Sequence, residues 1–212
     1  MKEIKRYSPV SFKATPLNSE QRDNWNVVLE YQGEEEGPYL VDLSHRIRLD
    51  LQSSDLASKK PFGITIPDTP CQSVFERGIL ANRMNRTQTS LYHLEGEKLD
   101  IPGEPEYTDV TEATLFVAMM GEAVFSICEK LTALDFMASA KEVPFLYQGP
   151  FSHVPCQIVT LSRDREKSGV VLTCSRGYGK DMIHSILDAG EEFGIRPAGE
   201  SRFTEWIKSL TY

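Results

Sequence analysis

The sequence predicts an α+β fold in which antiparallel or mixed sheets carry helices on one face. Two observations lead to this class. The first half alternates polar and apolar residues over short segments bounded by turn residues, as half-buried strands do. The second half runs in the order strand, helix, strand, strand, helix, which is most of a split β-α-β arrangement of the ferredoxin type.

We expect residues 1–100 to form a β-rich N-terminal half and residues 101–212 a ferredoxin-like C-terminal half. The segment Lys98–Glu106 separates them and carries two prolines and a glycine. Such residues interrupt regular structure. Because the segment is short, it predicts a connector inside one compact body, with the two halves packed together.

The first half shows one β-rich pattern from end to end. Residues 1–20 have no clear periodicity and are expected to form an irregular arm. The remaining predicted elements are, in chain order: strand Trp25–Tyr31, polar turn 32–37, returning strand Pro38–Leu43 completing a hairpin, half-buried strand 46–52, loop 58–70, helix 74–84 and strand 87–94.

The second half has longer apolar patterns. A nearly continuous apolar run at Thr114–Met119 predicts a buried strand, and apolar residues at helical spacing predict helices over 122–134 and 179–193. Two strands, 157–161 and 170–174, are joined by a charged loop. Gly194 suits the left-handed residue that ends a helix, and a proline follows three positions later.

Net charge and hydropathy exclude several function classes. The formal charge of −8 argues against non-specific nucleic-acid binding, which depends on Lys and Arg neutralising phosphates. The best local basic group is Arg77, Arg83 and Arg86, and a solvated face or a partner contact explains it more simply. No run approaches the roughly 20 apolar residues of a membrane span, so we expect no membrane association and a cytoplasmic location.

Cysteine spacing suggests neither a disulfide framework nor a metal site. Cys71, Cys128, Cys156 and Cys174 are far apart in sequence and include no C-x-x-C pair, so we interpret them as reduced thiols. His153 and Cys156 have a spacing that two metal ligands could use. No second pair accompanies them, and we expect no metal.

Three segments resemble the glycine-cleavage T-protein superfamily, whose members are tetrahydrofolate-binding aminomethyltransferases and their relatives. These segments are Val41-Asp-Leu-Ser-His, the stretch from Tyr107 to Phe125, and the stretch Gly177–Gly199 with its Ala-Gly-Glu-Glu-Phe-Gly-Ile-Arg-Pro-Ala-Gly turn. Within them, Asp109, Thr111 and Gly121, with Asp135 beyond, occupy recurring positions of the family. At 212 residues the chain most resembles the gamma subunit type of sarcosine oxidase in size.

The resemblance implies a folate-binding type of fold and a one-carbon setting, with tetrahydrofolate as the cofactor to consider. Glu166 is then the candidate carboxylate for the pterin, Arg196 suits the tail carboxylates of folate, and Tyr178 is a further candidate cofactor contact. Asp109 is the candidate active-site acid, although a capping or turn role explains it equally simply.

The chain also departs from the family pattern. The family's acidic motif should fall within Ala81–Tyr92, where there is no carboxylate, and Glu166 lies one residue from its expected place without the flanking glycines. These absences favour a gamma-like, structural subunit that serves a larger catalytic chain of a demethylating complex. One alternative is a stand-alone tetrahydrofolate-dependent aminomethyl- or methyltransferase, which requires Asp109, Glu166 and Arg196 to converge. A second is a folate-domain module in RNA modification or iron–sulfur assembly.

Two smaller features allow two interpretations each. Gly177 and Gly179 open a helix and suit either an anion site or a simple turn. Phe203 and Trp206 near the C-terminus predict a stripe that docks either on the core or on a partner.

Overall fold

The computed structural model describes residues 5–96 and 99–210. Strands and helices of these residues are, in chain order: β1 (Pro16–Arg22), β2 (Trp25–Tyr31), β3 (Tyr39–Asp42), β4 (Arg48–Gln52), β5 (Ser73–Glu76), β6 (Ile79–Arg83), β7 (Gln88–His93), β8 (Tyr107–Asp109), β9 (Thr114–Met120), α1 (Val124–Glu129), β10 (Phe145–Phe151), β11 (Val154–Ser162), β12 (Gly169–Ser175), α2 (Gly179–Gly190), β13 (Arg196–Ala198) and α3 (Glu200–Ser209).

The strands form three sheets. The largest has the order β10-β11-β12-β9-β3-β13, the second has the order β5-β6-β7-β4-β8, and β1 and β2 form a separate hairpin. Pairing is antiparallel within these sheets, apart from the parallel pair β3–β13. The predicted α+β class with antiparallel and mixed sheets is therefore confirmed.

Helices α1 and α2 cover one face of the six-stranded sheet. Alternate residues of a strand point to opposite faces, and Val117 and Leu172 point towards these helices. They pack there against Ile127 of α1 and Ile183 and Ile186 of α2 in one buried cluster. The two helices predicted to share a face of the sheet do so.

The opposite face of that sheet packs on the five-stranded sheet and on α3. Phe116 and Val171 lie in a second cluster with Leu80 and Tyr92 of the five-stranded sheet and with Phe203 of α3. The expectation that all helices lie on one face is therefore wrong for α3. Phe203 and Trp206, the apolar stripe predicted near the C-terminus, pack on this core, which is one of the two interpretations that the sequence allowed.

The second half contains the predicted order as β9, α1, β11, β12 and α2. The first helix is shorter than predicted, β8, β10, β13 and α3 were not predicted, and β3 from the first half lies between β9 and β13. The β9–α1–β11–β12–α2–β13 path otherwise follows the ferredoxin-type arrangement. Helix α2 ends at Gly190 and a 3₁₀ turn continues it to Phe193, the last residue of the predicted helix, where Gly194 follows at φ 70° in the left-handed conformation.

The predicted hairpin of Trp25–Tyr31 with Pro38–Leu43 is wrong. β2 pairs with β1, whereas β3 pairs with β9 and β13. The physical reason lies in Leu40 and Val41, which are consecutive and both completely buried. Consecutive residues of a strand point to opposite faces, so this segment needs a position inside a sheet that is covered on both sides.

The predicted helix over 74–84 is also wrong. This segment forms the β5–β6 hairpin, whose two-residue turn consists of Arg77 at φ 54° and Gly78 at φ 76°. Two successive residues with positive φ are typical of a turn whose twist matches that of the flanking strands.

Part of the predicted N-terminal arm is likewise a strand. β1 turns into β2 through Asp23 and Asn24, which have φ values of 47° and 65°. Six of the seven residues of β1 are exposed, so no alternation of polar and apolar residues reveals this strand. Among residues 5–96 and 99–210, none of the helices has the length and apolar character that a bilayer crossing requires.

Candidate functional site

The structure separates the residues predicted to bind folate. Glu166 precedes the first residue of β12 and Tyr178 follows its last residue. A seven-residue strand is about 20 Å long, so these two residues lie at opposite ends of the six-stranded sheet. Glu166 is exposed, and Tyr178 is 47% exposed.

Arg196 lies at the same end of the sheet as Glu166 but several strands away. Arg196 is the register partner of Tyr39, which pairs with Met120, which pairs with Gly169 at the start of β12. Three strand spacings amount to about 14 Å. The Arg196 guanidinium instead forms an ion pair with the Glu35 carboxylate at 3.1 Å.

Asp109 is the last residue of β8 and therefore belongs to the five-stranded sheet, not to the six-stranded sheet beside Glu166, Tyr178 and Arg196. Its Oδ1 accepts the backbone N–H of Thr111 at 2.8 Å and the residue is exposed, which is the turn role considered from the sequence. The structure therefore does not bring Asp109, Glu166, Tyr178 and Arg196 into one pocket.

A different group of charged residues does converge. The carboxylate of Glu200 is almost completely buried, and the side chains of one histidine and two arginines contact it. His45 Nε2 lies 2.7 Å from it, Arg46 Nη2 lies 2.6 Å away, and Arg22 Nη1 lies 2.8 Å away. The four residues come from the end of β1, the β3–β4 connection and the first turn of α3, so this cluster joins three separated parts of the chain.

Local structure places each member of this cluster. The backbone turns after β3 because Asp42 Oδ1 accepts the N–H of Ser44 at 2.9 Å, which directs His45 inward. Helix α3 begins after Gly199, where an added Cβ would lie 2.1 Å from the carbonyl oxygen of Leu29. Only glycine permits this close approach, and the approach sets the depth of Glu200.

The electrostatics of this cluster keep Glu200 ionised. Burial alone would raise the pKa of Glu200, but the hydrogen bond with His45 and the charges of His45, Arg46 and Arg22 outweigh it and hold that pKa at about 2. A carboxylate with such a low pKa is a poor proton donor or acceptor near neutrality. The cluster is therefore suited to holding α3 in place rather than to acid–base catalysis.

A cleft of about 450 Å³ opens beside this cluster. Arg22, Arg46 and Lys208 line it together with Glu95 and Glu200. The lining carries both signs of charge in similar number, so the cleft presents no net field that would select an anion or a cation.

Arg48 is a second buried cation. Its guanidinium donates to the carbonyl oxygens of Arg46 at 2.6 Å and Thr114 at 3.1 Å and to that of Thr111, and it lies 4.9 Å from the ring centroid of Phe116. Burial lowers the pKa of Arg48 to about 10. Arg48 therefore ties the start of β4 to the segment that leads into β9.

A depression with a volume of about 810 Å³ runs along α2. Apolar residues Ile183, Leu187, Ile195 and Pro197 line it, together with Lys13 of the N-terminal segment and charged residues of α2 such as Asp181 and Asp188. We call this depression the α2 groove. A concave, partly apolar surface of this size is typical of a binding site for another molecule.

Two exposed tyrosines lie near the N-terminus of α2, outside the lining of the α2 groove. Tyr7 is 68% exposed and Tyr178 is 47% exposed. The Tyr7 carbonyl accepts a hydrogen bond from Arg176, and Pro9 packs against Gly179 at the start of α2. Tyrosines are enriched among the residues that dominate protein–protein binding energy.

The other sequence candidates have structural roles. Arg83 is buried and donates to the carbonyl of Arg86 at 2.9 Å, so these arginines do not form a surface patch for nucleic acid. Phe203 is fully buried, and the indole N–H of Trp206 donates to Lys167 O at 3.1 Å. Within the described residues, no three His, Cys, Asp or Glu side chains are grouped to hold a metal ion.

Sequence comparisons identify no relative, whereas the structure does. No protein-family model and no curated protein matches the sequence. The fold is similar to that of a chain of heterotetrameric sarcosine oxidase from Corynebacterium sp. U-96, solved in complex with pyrrole 2-carboxylate, with a TM-score of 0.60 and 14% identity. The match covers 73% of this chain and 84% of that chain, so the matched chain is the shorter of the two.

This similarity defines a sarcosine-oxidase-related fold. It is a fold-level statement, because 14% identity does not extend to the residues of a site. The two chains share their arrangement of sheets and helices over most of their lengths.

Proposed function

We propose that this chain is a small structural subunit of a heteromeric demethylating enzyme of the sarcosine oxidase type, of the kind represented by the gamma subunit. The observation that supports this proposal most strongly is the shared fold with one chain of a heterotetrameric enzyme. That chain is shorter than the 212 residues of this one. The active site of the complex would then lie on a larger chain.

The positions of the candidate site residues support a structural role. A folate site on this chain would need a carboxylate for the pterin and a cation for the tail within one pocket. Glu166 and Arg196 are separated across four strands of the six-stranded sheet, and Asp109 lies on β8 of the five-stranded sheet. We therefore place any tetrahydrofolate site of the complex on the partner rather than on this chain.

The α2 groove supports the presence of a partner. It is concave, apolar residues such as Ile183, Leu187 and Ile195 line part of it, and the exposed Tyr7 and Tyr178 lie near the N-terminus of α2. Edge strand β13 beneath it has proline at its central position, and proline cannot donate a hydrogen bond to an added strand. The partner would therefore be held through side chains rather than by extending the sheet.

Co-purification tests this function. The tagged chain, purified from its own host at low salt, is expected to bring with it a larger flavin-containing chain, and the complex is expected to reduce an electron acceptor when sarcosine is added. A chain that purifies alone as a monomer, or a complex that does not oxidise an N-methyl amine, would contradict the proposal.

A matched pair of variants tests the surface. Tyr178→Ala is expected to weaken assembly with the larger chain by about tenfold or more, since an interface hot spot is worth above about 1.4 kcal/mol. Ile101→Ala is the control, because Ile101 is also exposed, at 44%, and belongs to the segment before β8 rather than to the start of α2. Equal affinities of the two variants would exclude this surface while leaving the subunit role open to the co-purification test.

A further inference from the structure

Cys156 and Cys174 form a cross-strand pair. They are direct register partners on the antiparallel strands β11 and β12. Each is only 5% exposed, and both belong to the cluster beneath α1 and α2, so the two side chains lie on the same face of the sheet. All four cysteines of the chain are free thiols in the structure.

The backbone geometry of this pair matches that of a disulfide. Residues directly opposite in an antiparallel pair have Cα atoms about 4.5–5.5 Å apart, and a disulfide requires a Cα separation of about 4.4–6.8 Å. The register of β11 and β12 therefore places the two Cα atoms within the range that a disulfide spans. Cys71 and Cys128 have no such partner, because one lies in the turn before β5 and the other on α1.

We propose that Cys156 and Cys174 are a reversible oxidation site that closes to a cross-strand disulfide when the protein meets a hydroperoxide or a small-molecule disulfide. This proposal does not depend on the subunit role.

In the reduced protein each thiol donates to a backbone carbonyl, Cys156 to that of Val154 at 3.2 Å and Cys174 to that of Ser175 at 3.6 Å. The proximity of the two thiols raises the pKa of Cys156 and lowers that of Cys174, so we assign Cys174 as the sulfur that more readily becomes a thiolate. Cys174 is accordingly the attacking sulfur and Cys156 the resolving one.

The chemistry with hydrogen peroxide balances in two steps. The Cys174 thiolate attacks one peroxide oxygen, the O–O bond breaks, and the departing hydroxide takes a proton to become water, which leaves a sulfenic acid. The Cys156 sulfur then attacks the sulfenic sulfur, and the S–O bond breaks as the thiol proton leaves with the hydroxyl as a second water. Two thiols are oxidised to one disulfide, and one peroxide is reduced to two waters.

The bond would fix the entry to α2. Cys174 is followed by Ser175 and then by the 3₁₀ turn Arg176–Tyr178 that leads into α2. Tethering Cys174 to β11 restricts the end of β12. We therefore expect slower amide hydrogen exchange over residues 175–179 in the oxidised protein.

Peptide mapping tests this site on the full chain. The native protein is treated with hydrogen peroxide, remaining thiols are alkylated under unfolding conditions, and the chain is digested without reduction. The expected product is one linked peptide containing Cys156 and Cys174, lighter by about 2 Da than its two reduced parts because two hydrogens are lost. Reduction with dithiothreitol should separate it.

Burial of the two thiols could slow their oxidation and leave the linked peptide undetected, so a second experiment brings the protein to redox equilibrium. The same mapping is done after the protein has reached equilibrium in a glutathione and glutathione disulfide buffer containing urea below the unfolding transition. Cys71→Ser should form the bond as the wild-type chain does, whereas Cys156→Ala and Cys174→Ala should each leave the other thiol unlinked. Oxidation of Cys71 without any Cys156–Cys174 peptide under both conditions, or linkage of Cys156 to another cysteine, would overturn the proposal.

Discussion

Replacing Glu200 by glutamine should expose how much the buried charge cluster stabilises the fold. The change keeps the size of the side chain and removes its charge. The three partners of Glu200 then lose their carboxylate while remaining buried or half-buried, and Arg46 is only 7% exposed. Breaking a buried pair by removing one member is costly because the other charge stays desolvated.

The magnitude follows from the pKa of Glu200. That pKa falls from its ordinary value of 4.5 to about 2. At about 1.36 kcal/mol per pKa unit, the ionised carboxylate contributes about 3 kcal/mol to the free energy of unfolding at neutral pH. Glu200→Gln should therefore lose about 3 kcal/mol, which is a large part of the stability of a typical domain.

The same shift sets the pH dependence. Because the folded-state pKa of Glu200 lies below its unfolded-state value, the stabilisation is fully present above pH 4.5 and disappears as the pH falls towards about 2. The wild-type protein should lose stability over that interval. Glu200→Gln should show a correspondingly flatter profile over the same interval.

Urea unfolding followed by circular dichroism measures both effects, at pH 7 and at several values between 5 and 2. Glu205→Gln is the matched control, because Glu205 is exposed on the same helix. It should change the free energy of unfolding by no more than about 0.5 kcal/mol. If Glu200→Gln were as stable as this control at pH 7, the reasoning about the cluster would be refuted.

Two further substitutions test the packing around this cluster. Gly199→Ala should lower the free energy of unfolding, measured with urea, by about 3 kcal/mol, because the new Cβ meets the backbone of Leu29. Gly177→Ala is the control: the new Cβ has nothing within 4 Å and should cost under about 0.5 kcal/mol. Similar costs for both substitutions would contradict the close approach of α3 to Leu29. Arg48→Met should lower the free energy of unfolding by about 3 kcal/mol, measured by thermal or urea unfolding, because it leaves buried carbonyl oxygens without donors. Arg48→Lys should be no more stable than Arg48→Met, because an ammonium group cannot reproduce the several N–H donors of the guanidinium. Wild-type stability of Arg48→Met would show that the hydrogen bonds of Arg48 contribute nothing net.

The second half of the fold could be predicted because its signals are local. The apolar run at Thr114–Met119 is buried on both faces, and the apolar spacing of α2 leads directly to Gly194 at its end. Both patterns depend on residues within a few positions of each other, so no knowledge of distant partners was needed.

The pairing of β3 could not be predicted in this way. The polar turn between β2 and β3 indicates a hairpin, but β9 lies more than 70 residues further along the chain and takes β3 as its neighbour. The Arg77–Gly78 turn was, in contrast, available as a signal, since glycine in the second position of a two-residue turn is typical of a hairpin.

The buried charges were missed for a similar reason. Arg46 and Arg48 alternate with apolar residues, and this pattern predicts that they face solvent. They are buried because Glu200 and the carbonyl groups of residues 111–114 meet them from distant parts of the chain. The family resemblance of Gly177–Gly199 predicted a fold, and it did not predict that Glu166 and Arg196 would lie apart.

Native mass spectrometry of the chain purified from its own host tests the central proposal most directly. The account predicts a heteromer in which this chain is the small component beside a larger flavin-containing chain, with sarcosine-dependent electron transfer by the same particle. A species made of this chain alone that binds tetrahydrofolate and transfers a one-carbon group by itself would contradict it.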